Sequence, residues 1–84
     1  MEIKFKKRFQ KDFKKLLQKI KDKFYERLEV FTNNKFDIVL NNHSVDKVFS
    51  DCRSINITGN YRAIFKDDGD VVVFITIGTH SELY

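Results

Sequence analysis

Proline and tryptophan are absent from this chain of 84 residues, and cysteine and methionine each occur once. With no proline, no low-complexity tract and no internal repeat, nothing marks a linker, and residues 1–84 read as a single domain. The lone Cys52 excludes an internal disulfide, and a small chain without such staples points to a reducing compartment. It also argues against a free-thiol catalyst. Nowhere do eighteen apolar residues run together, and no apolar stretch of signal-peptide length follows the basic start from Met1 to Arg8. The expectation is a cytoplasmic protein with no membrane partner.

Histidine is scarce as well. His43 and His80 are 37 positions apart and no pair sits at i and i+4, so a metal site would have to gather carboxylates from loops. There is no phosphate-cradling glycine loop, zinc pattern or serine nucleophile elbow. Neither a metal nor an organic cofactor is expected.

What the chain does have is charge, aromatics and periodicity. Hydrophobic residues make up 42% and charged ones 33%, far from the composition of disorder. A chain this short buries only about 60–65% of its unfolded surface, so its core is thin. Nine Phe and three Tyr must supply much of it. Residues 1–24 carry ten Lys/Arg against three acids, a net +7, and residues 25–84 carry six against nine, a net −3. Such a basic pole concentrates polyanions. A solvated lysine face on a helix gives the same pattern, and charge alone leaves both readings open.

Residues 2–7 alternate polar and apolar and predict a short strand. From Phe9 the period changes: Phe9, Phe13, Leu16, Leu17, Ile20, Phe24, Leu28 and Phe31 recur at three- and four-residue steps, the signature of a helix with one apolar stripe. No Gly or Pro interrupts residues 9–31, which favours one long helix, whereas the small core favours a helical hairpin; both remain open. Asn33-Asn34 is a plausible stop, through asparagine's tolerance of left-handed dihedrals or its own backbone bonds. Residues 33–50 read as loop.

Three antiparallel strands are predicted at residues 53–58, 61–65 and 71–77, with Gly59-Asn60 and Asp67 to Asp70 between them. The unalternating Val71–Ile77 run predicts a central strand covered on both faces. A two-residue loop at Gly59-Asn60 would turn Arg62 to the same face as Ile55 and Ile57. A three-residue loop, Thr58 to Asn60, instead pairs Ile57 with Tyr61, buries Ile55, Ile57, Tyr61, Ala63 and Phe65, and turns Asn56 and Arg62 together to the other face.

His80 follows the central strand in Gly78-Thr-His-Ser-Glu-Leu-Tyr84, where functional side chains collect. A histidine moves protons near neutral pH, an aromatic stacks an unpaired base, and with Arg62 the three make a phosphodiester-cleaving set. The residues alone favour a plainer reading, in which His80 caps a terminal turn, Tyr84 plugs the core, and Arg62 pairs with Asp67 or Asp68.

Residues 40–84 resemble the RelE/ParE superfamily of type II toxins, most closely its RelE/StbE and YafQ branch. Leu40-Asn-Asn-His43 is similar to the family's Leu-x-x-His, residues 53–65 to its arginine-bearing hairpin, and Gly78–Tyr84 to its C-terminal strand exit; residues 5–31 match its helical hairpin more loosely. The resemblance implies an α+β fold of order β-α-α-β-β-β, an antiparallel sheet packed against an N-terminal helical hairpin. It implies a toxin held inactive by a cognate antitoxin, acting on the ribosome as a metal-independent mRNA endoribonuclease. Arg62 would stabilise the phosphorane, His80 would act as general acid or base, Tyr84 would stack a base and His43 would assist. Lys4, Lys6, Lys7, Arg53, Asn56 and Asn60 would contact RNA. Asn56 and Asn60 stand where YafQ-like members carry histidine and aspartate, and neither transfers a proton at neutral pH. Alternatives are a ParE-like topoisomerase inhibitor without catalysis, and a degenerate RNA-binding toxin.

Overall fold

The computed structural model describes residues 1–84. The chain forms β1 (Glu2–Phe5), α1 (Lys7–Lys14), α2 (Gln18–Asn33), a 3-10 turn (Ile38–Leu40), β2 (His43–Ser44), β3 (Arg53–Asn56), β4 (Tyr61–Asp67), β5 (Val71–Thr79) and α3 (His80–Leu83). The strands make one sheet ordered β1-β5-β4-β3-β2. It is mixed: β1 runs parallel to β5 and the other pairs are antiparallel. The anticipated order thus gains a short fifth strand inside the expected loop and a terminal helical turn.

The expected helical stripe breaks into a hairpin without glycine or proline. Lys15 and Leu16 donate to carbonyls three residues back, those of Asp12 and Phe13, and Leu17 is extended as the residue opening α2. An unbroken helix over residues 7–33 would be roughly 40 Å long at 1.5 Å per residue, whereas the molecule's longest dimension is 30 Å. It would also hold Phe9 and Phe24 roughly 22 Å apart. Folded back, their rings lie 5.3 Å apart, and Phe13 meets Phe24 at 5.3 Å. Burying a phenylalanine contributes about 1.5–3 kcal/mol, enough to outweigh the lost helical hydrogen bonds and the exposure of Leu17. Helix α2 stops at Asn33 as anticipated. Asn34, however, is extended, and its Oδ1 accepts the Phe36 N–H at 3.0 Å in an Asx turn. The left-handed residues other than glycine are Asn41 and Asp51.

Phe74 is the hub of the core. Its ring centroid lies 5.5–5.7 Å from those of Phe5, Phe9, Phe24, Phe31 and Phe65. Strand β5 was expected to be central and covered on both faces; it is interior, but β4 holds the middle of the sheet and Val71, Val73 and Ile75 of β5 are only half-buried. Phe65 faces Phe74 while Ile64 faces Thr76, so Ile75 is an extra residue that shifts the register. Val72, Phe74 and Ile77 consequently belong to the helix-side core, and Ile75 joins a smaller cluster of Val45, Cys52, Ile64, Phe49 and Leu83. Burial there lifts the Cys52 thiol above its ordinary value despite the nearby Lys66 ammonium. No helix is long and apolar enough to cross a membrane.

One ion pair ties the loop after α2 to the sheet. Lys35 Nζ donates to Asp67 Oδ2 at 2.9 Å. Burial alone would push Asp67 up, but the Lys35 hydrogen bond, the Gly69 N–H and the charges of Lys35 and Arg53 together hold it below its ordinary value. A depressed carboxylate contributes stability above its unfolded pKa and loses it as pH falls through the folded value. Asp67→Asn is expected to lower unfolding free energy by about 1 kcal/mol at neutral pH and by nothing near pH 2, measured by urea denaturation at both. An equal deficit at both would contradict the assignment.

Candidate functional site

The hairpin between β3 and β4 has the three-residue loop. Ile57 N–H donates to Tyr61 O at 2.9 Å, and Thr58 Oγ1 accepts from the N–H groups of Asn60 and Tyr61 at 3.2 and 3.0 Å. Asn56 therefore stands opposite Arg62, and Arg62 opposite Gly78, a row across three strands. Ile55, Ile57, Ala63 and Ile77 on alternate positions enter the core with Phe9, Phe24 and Phe31. The row consequently lies on the face away from α1 and α2.

Arg62 is half-buried and makes no ion pair; Asp67 is taken by Lys35. Its Nη1 donates to the carbonyls of Thr58, Gly59 and Tyr61 at 3.0, 3.1 and 3.2 Å. These acceptors fix the guanidinium beside the loop, while Nε and Nη2 bond to nothing in the chain. The result is a positioned cation with no neutralising carboxylate and two nitrogens free for an anion. Beside it, Asn56 Oδ1 is a buried acceptor without a donor, as is the Ser54 hydroxyl one row away; an unmade bond of this kind costs about 1–3 kcal/mol.

Helix α3 is anchored to the same end of the sheet. Thr79 Oγ1 accepts the Glu82 N–H at 3.2 Å, and Glu82 Oε1 accepts the Thr79 N–H at 2.8 Å, a reciprocal capping box. Those bonds, the backbone one first, hold the Glu82 carboxyl below its ordinary value. It is Thr79, not His80, that caps the turn. His80 N–H donates to Asn60 O at 3.0 Å, joining α3 to the hairpin loop. The exposed His80 ring lies 4.8 Å from that of Tyr84, which is 43% exposed and touches Phe49 at 6.5 Å, so it does not plug the core.

His43, in β2, pairs with Ser54, two residues from Asn56 on the same face. Its Nδ1 lies 2.7 Å from Asn41 O. A carbonyl only accepts, so Nδ1 carries the proton and, in the neutral ring, Nε2 is left as the basic nitrogen. Lys4, opposite Val73 with Lys66 beyond it, extends the basic surface of this face toward β1; Lys6 continues the alternation and Lys7 opens α1. Arg53, expected to contact RNA, is also engaged within the chain. Its Nε donates to Asn42 Oδ1 at 2.7 Å and its guanidinium lies 5.5 Å over the Phe36 ring, so it braces the loop before β2. Conversely, Lys19 and Lys23 line a cleft of about 520 Å³ with Thr58, Asn60 and Tyr61, beside the hairpin loop. Sequence periodicity counted them only as part of the basic pole, since it does not reveal that the α1–α2 break turns this stretch toward the loop.

The model of a family described as the ParE toxin of type II toxin-antitoxin systems matches residues 3–84, and the chain belongs to that family. It is a toxin of a type II toxin-antitoxin system. The fold is similar to that of YafQ from E. coli strain BL21(DE3), with a TM-score of 0.82 at 21% identity over 99% of this chain and 97% of the other. It is also similar to RelE in the RelB-RelE antitoxin-toxin complex from Methanococcus jannaschii, with a TM-score of 0.75 at 23% identity over 96% and 94%. A third match is to the E. coli DinJ-YafQ toxin-antitoxin complex, with a TM-score of 0.80 at 21% identity over 99% and 96%. Among proteins of curated function, no significant sequence match is found.

Gly78 leaves room for α3. A Cβ there would meet Glu82 Oε1 at 3.3 Å and Leu83 Cδ2 at 3.4 Å. Gly78→Val is expected to displace α3, shifting or broadening the NMR resonances of His80–Tyr84 while those of Phe31 and Phe74 hold, at a cost of about 1–3 kcal/mol. Unmoved resonances at His80 and Tyr84 would show that α3 does not depend on this contact.

Proposed function

We propose that this toxin is a ribosome-dependent mRNA endoribonuclease that works without a metal, and that a cognate antitoxin silences it. The observation that carries the reading is Arg62: a half-buried guanidinium fixed by three backbone carbonyls, paired with no carboxylate, next to the loop that anchors the histidine-bearing helix. In the proposed reaction the 2′-oxygen bonds to the neighbouring phosphorus and the bond from phosphorus to the 5′-oxygen breaks, leaving a 2′,3′-cyclic phosphate and a 5′-hydroxyl. The proton of the 2′-hydroxyl goes to a base and the leaving oxygen receives one from an acid. His80 takes one of these roles, with His43 Nε2 assisting, and Tyr84 stacks a base beside His80. Arg62 holds the charge that develops on the phosphoryl oxygens. Lys4, Lys6 and Lys7 meet ribosomal or messenger phosphates, while Asn56 and Asn60 supply hydrogen bonds but no proton transfer. The antitoxin follows from the family, and the fold's relatives crystallised as DinJ-YafQ and RelB-RelE complexes support it.

The family description also favours a second reading, a ParE-like inhibitor of a topoisomerase that cuts nothing. In a cell-free translation reaction the nuclease truncates the message, whereas the inhibitor leaves it whole and blocks DNA supercoiling. Damage to cleavage is expected in the order Arg62→Ala, at about 10³-fold, then His80→Gln, Tyr84→Ala and His43→Ala. A folded Arg62→Ala variant that cleaves at full rate would overturn the reading.

A further inference from the structure

The outer edge of β1 opens onto an apolar pocket that the candidate site does not use. Strand β1 lies at the edge of the sheet. Glu2 and Lys6 donate their N–H groups to Asp70 O and Phe74 O, so by alternation the N–H and C=O groups of Ile3 and Phe5 face outward. The Phe5 carbonyl is covered by Gln10 Nε2 at 3.1 Å. The outward N–H groups of both residues and the Ile3 carbonyl are left without a partner. Beside them Phe5, Phe9, Phe13, Phe24 and Tyr25 line a pocket of about 430 Å³ with Lys14 and Lys21 at its rim. Phe5 is 37% and Tyr25 58% exposed.

We propose that β1 accepts an extended, acidic and aliphatic-rich segment of the antitoxin as an added strand, one aliphatic side chain of which fills this aromatic pocket. A second copy of the chain does not fit, because residues 1–24 carry +7 and two such poles would repel. A nucleic acid fits poorly too. Phe9 and Phe13 are nearly parallel at 19° but only 5.7 Å apart, too close to admit a base between them, and the rings of Phe13–Phe24, Phe13–Tyr25 and Phe24–Tyr25 meet at 69°, 73° and 65°. Lys21 Nζ sits 5.9 Å over the Phe13 ring, on a face where a base would stack. An open strand edge is matched by a peptide backbone, and the lysine rim by carboxylates flanking the anchor.

The occupant rests on the antitoxin pairing proposed above, while the test involves no RNA cleavage, so its failure and a failure of the nuclease reading are told apart. The probe is a capped decapeptide of alternating Glu and Leu, titrated into the full chain carrying Arg62→Ala. Controls are its Lys–Leu counterpart, the same peptide N-methylated at alternate residues, and an oligouridylate. The Glu–Leu peptide is expected to protect the Ile3 and Phe5 amides from hydrogen exchange, and N-methylation to abolish binding. Lys21→Glu combined with Tyr25→Glu should weaken it at least about tenfold in a variant whose circular dichroism shows it still folded. Equal binding of the Lys–Leu peptide, no protection at Ile3 and Phe5, or oligouridylate displacing the peptide from Tyr25 would overturn the proposal.

Discussion

Ile55, Ile57, Ala63 and Phe65 are completely buried, and successive side chains of a strand point to opposite faces. Their burial leaves Asn56, Arg62 and Gly78 no face but the other. A hairpin one residue shorter would exchange the two sets, moving Arg62 into a core of phenylalanines where an unpaired guanidinium has no acceptors. The cost of that slip is what holds the register, and the register is what holds the candidate site. Thr58 closes the loop at its required length, and the loop carbonyls then fix Arg62. The loop's last carbonyl, Asn60 O, takes the first N–H of α3.

The opposite layer depends on Phe74 in the same way. Five phenylalanine rings from β1, α1, α2 and β4 converge on it. Packing them around one ring forces residues 7–33 to fold back on themselves. Folding back turns Lys19 and Lys23 toward the hairpin loop and brings Lys14 and Lys21 to the rim of the pocket near β1. One basic stretch of sequence therefore serves two surfaces, one beside the Thr58–Asn60 loop and one at the sheet edge.

Much of this was legible in the sequence, because period and parity are local signals. The β3–β4 register followed from requiring Arg62 to leave the core, and the stop at Asn33 followed from asparagine chemistry. The family, too, was legible in residues 40–84. The break at Lys15–Leu17 was not, since it arises from contacts between Phe9, Phe13 and Phe24 rather than from any helix-breaking residue. The Ile75 bulge was hidden for a related reason: a run of seven residues without alternation carries no parity to break. Strand β2 is two residues long and gave no pattern, and its His43 enters the sheet only through pairing with Ser54. At Arg53 the residue type suggested phosphate, while Asn42 and Phe36, distant enough in sequence to escape notice, hold it in place.

The chemistry assigned to this face has a definite product. If Arg62 stabilises charge on a phosphate attacked by the neighbouring 2′-oxygen, with protons moved by histidine, message fragments carry a 2′,3′-cyclic phosphate upstream and a 5′-hydroxyl downstream. A reaction in which water attacks the phosphorus and the 3′-oxygen leaves gives a 3′-hydroxyl and a 5′-phosphate instead. The most direct measurement is the end chemistry of fragments cut on ribosomes washed with just enough chelator to strip loosely held metal while keeping subunits joined. Cyclic phosphate and 5′-hydroxyl ends, lost in Arg62→Ala, are the expected result; 5′-phosphate ends, or an intact message, would contradict the account.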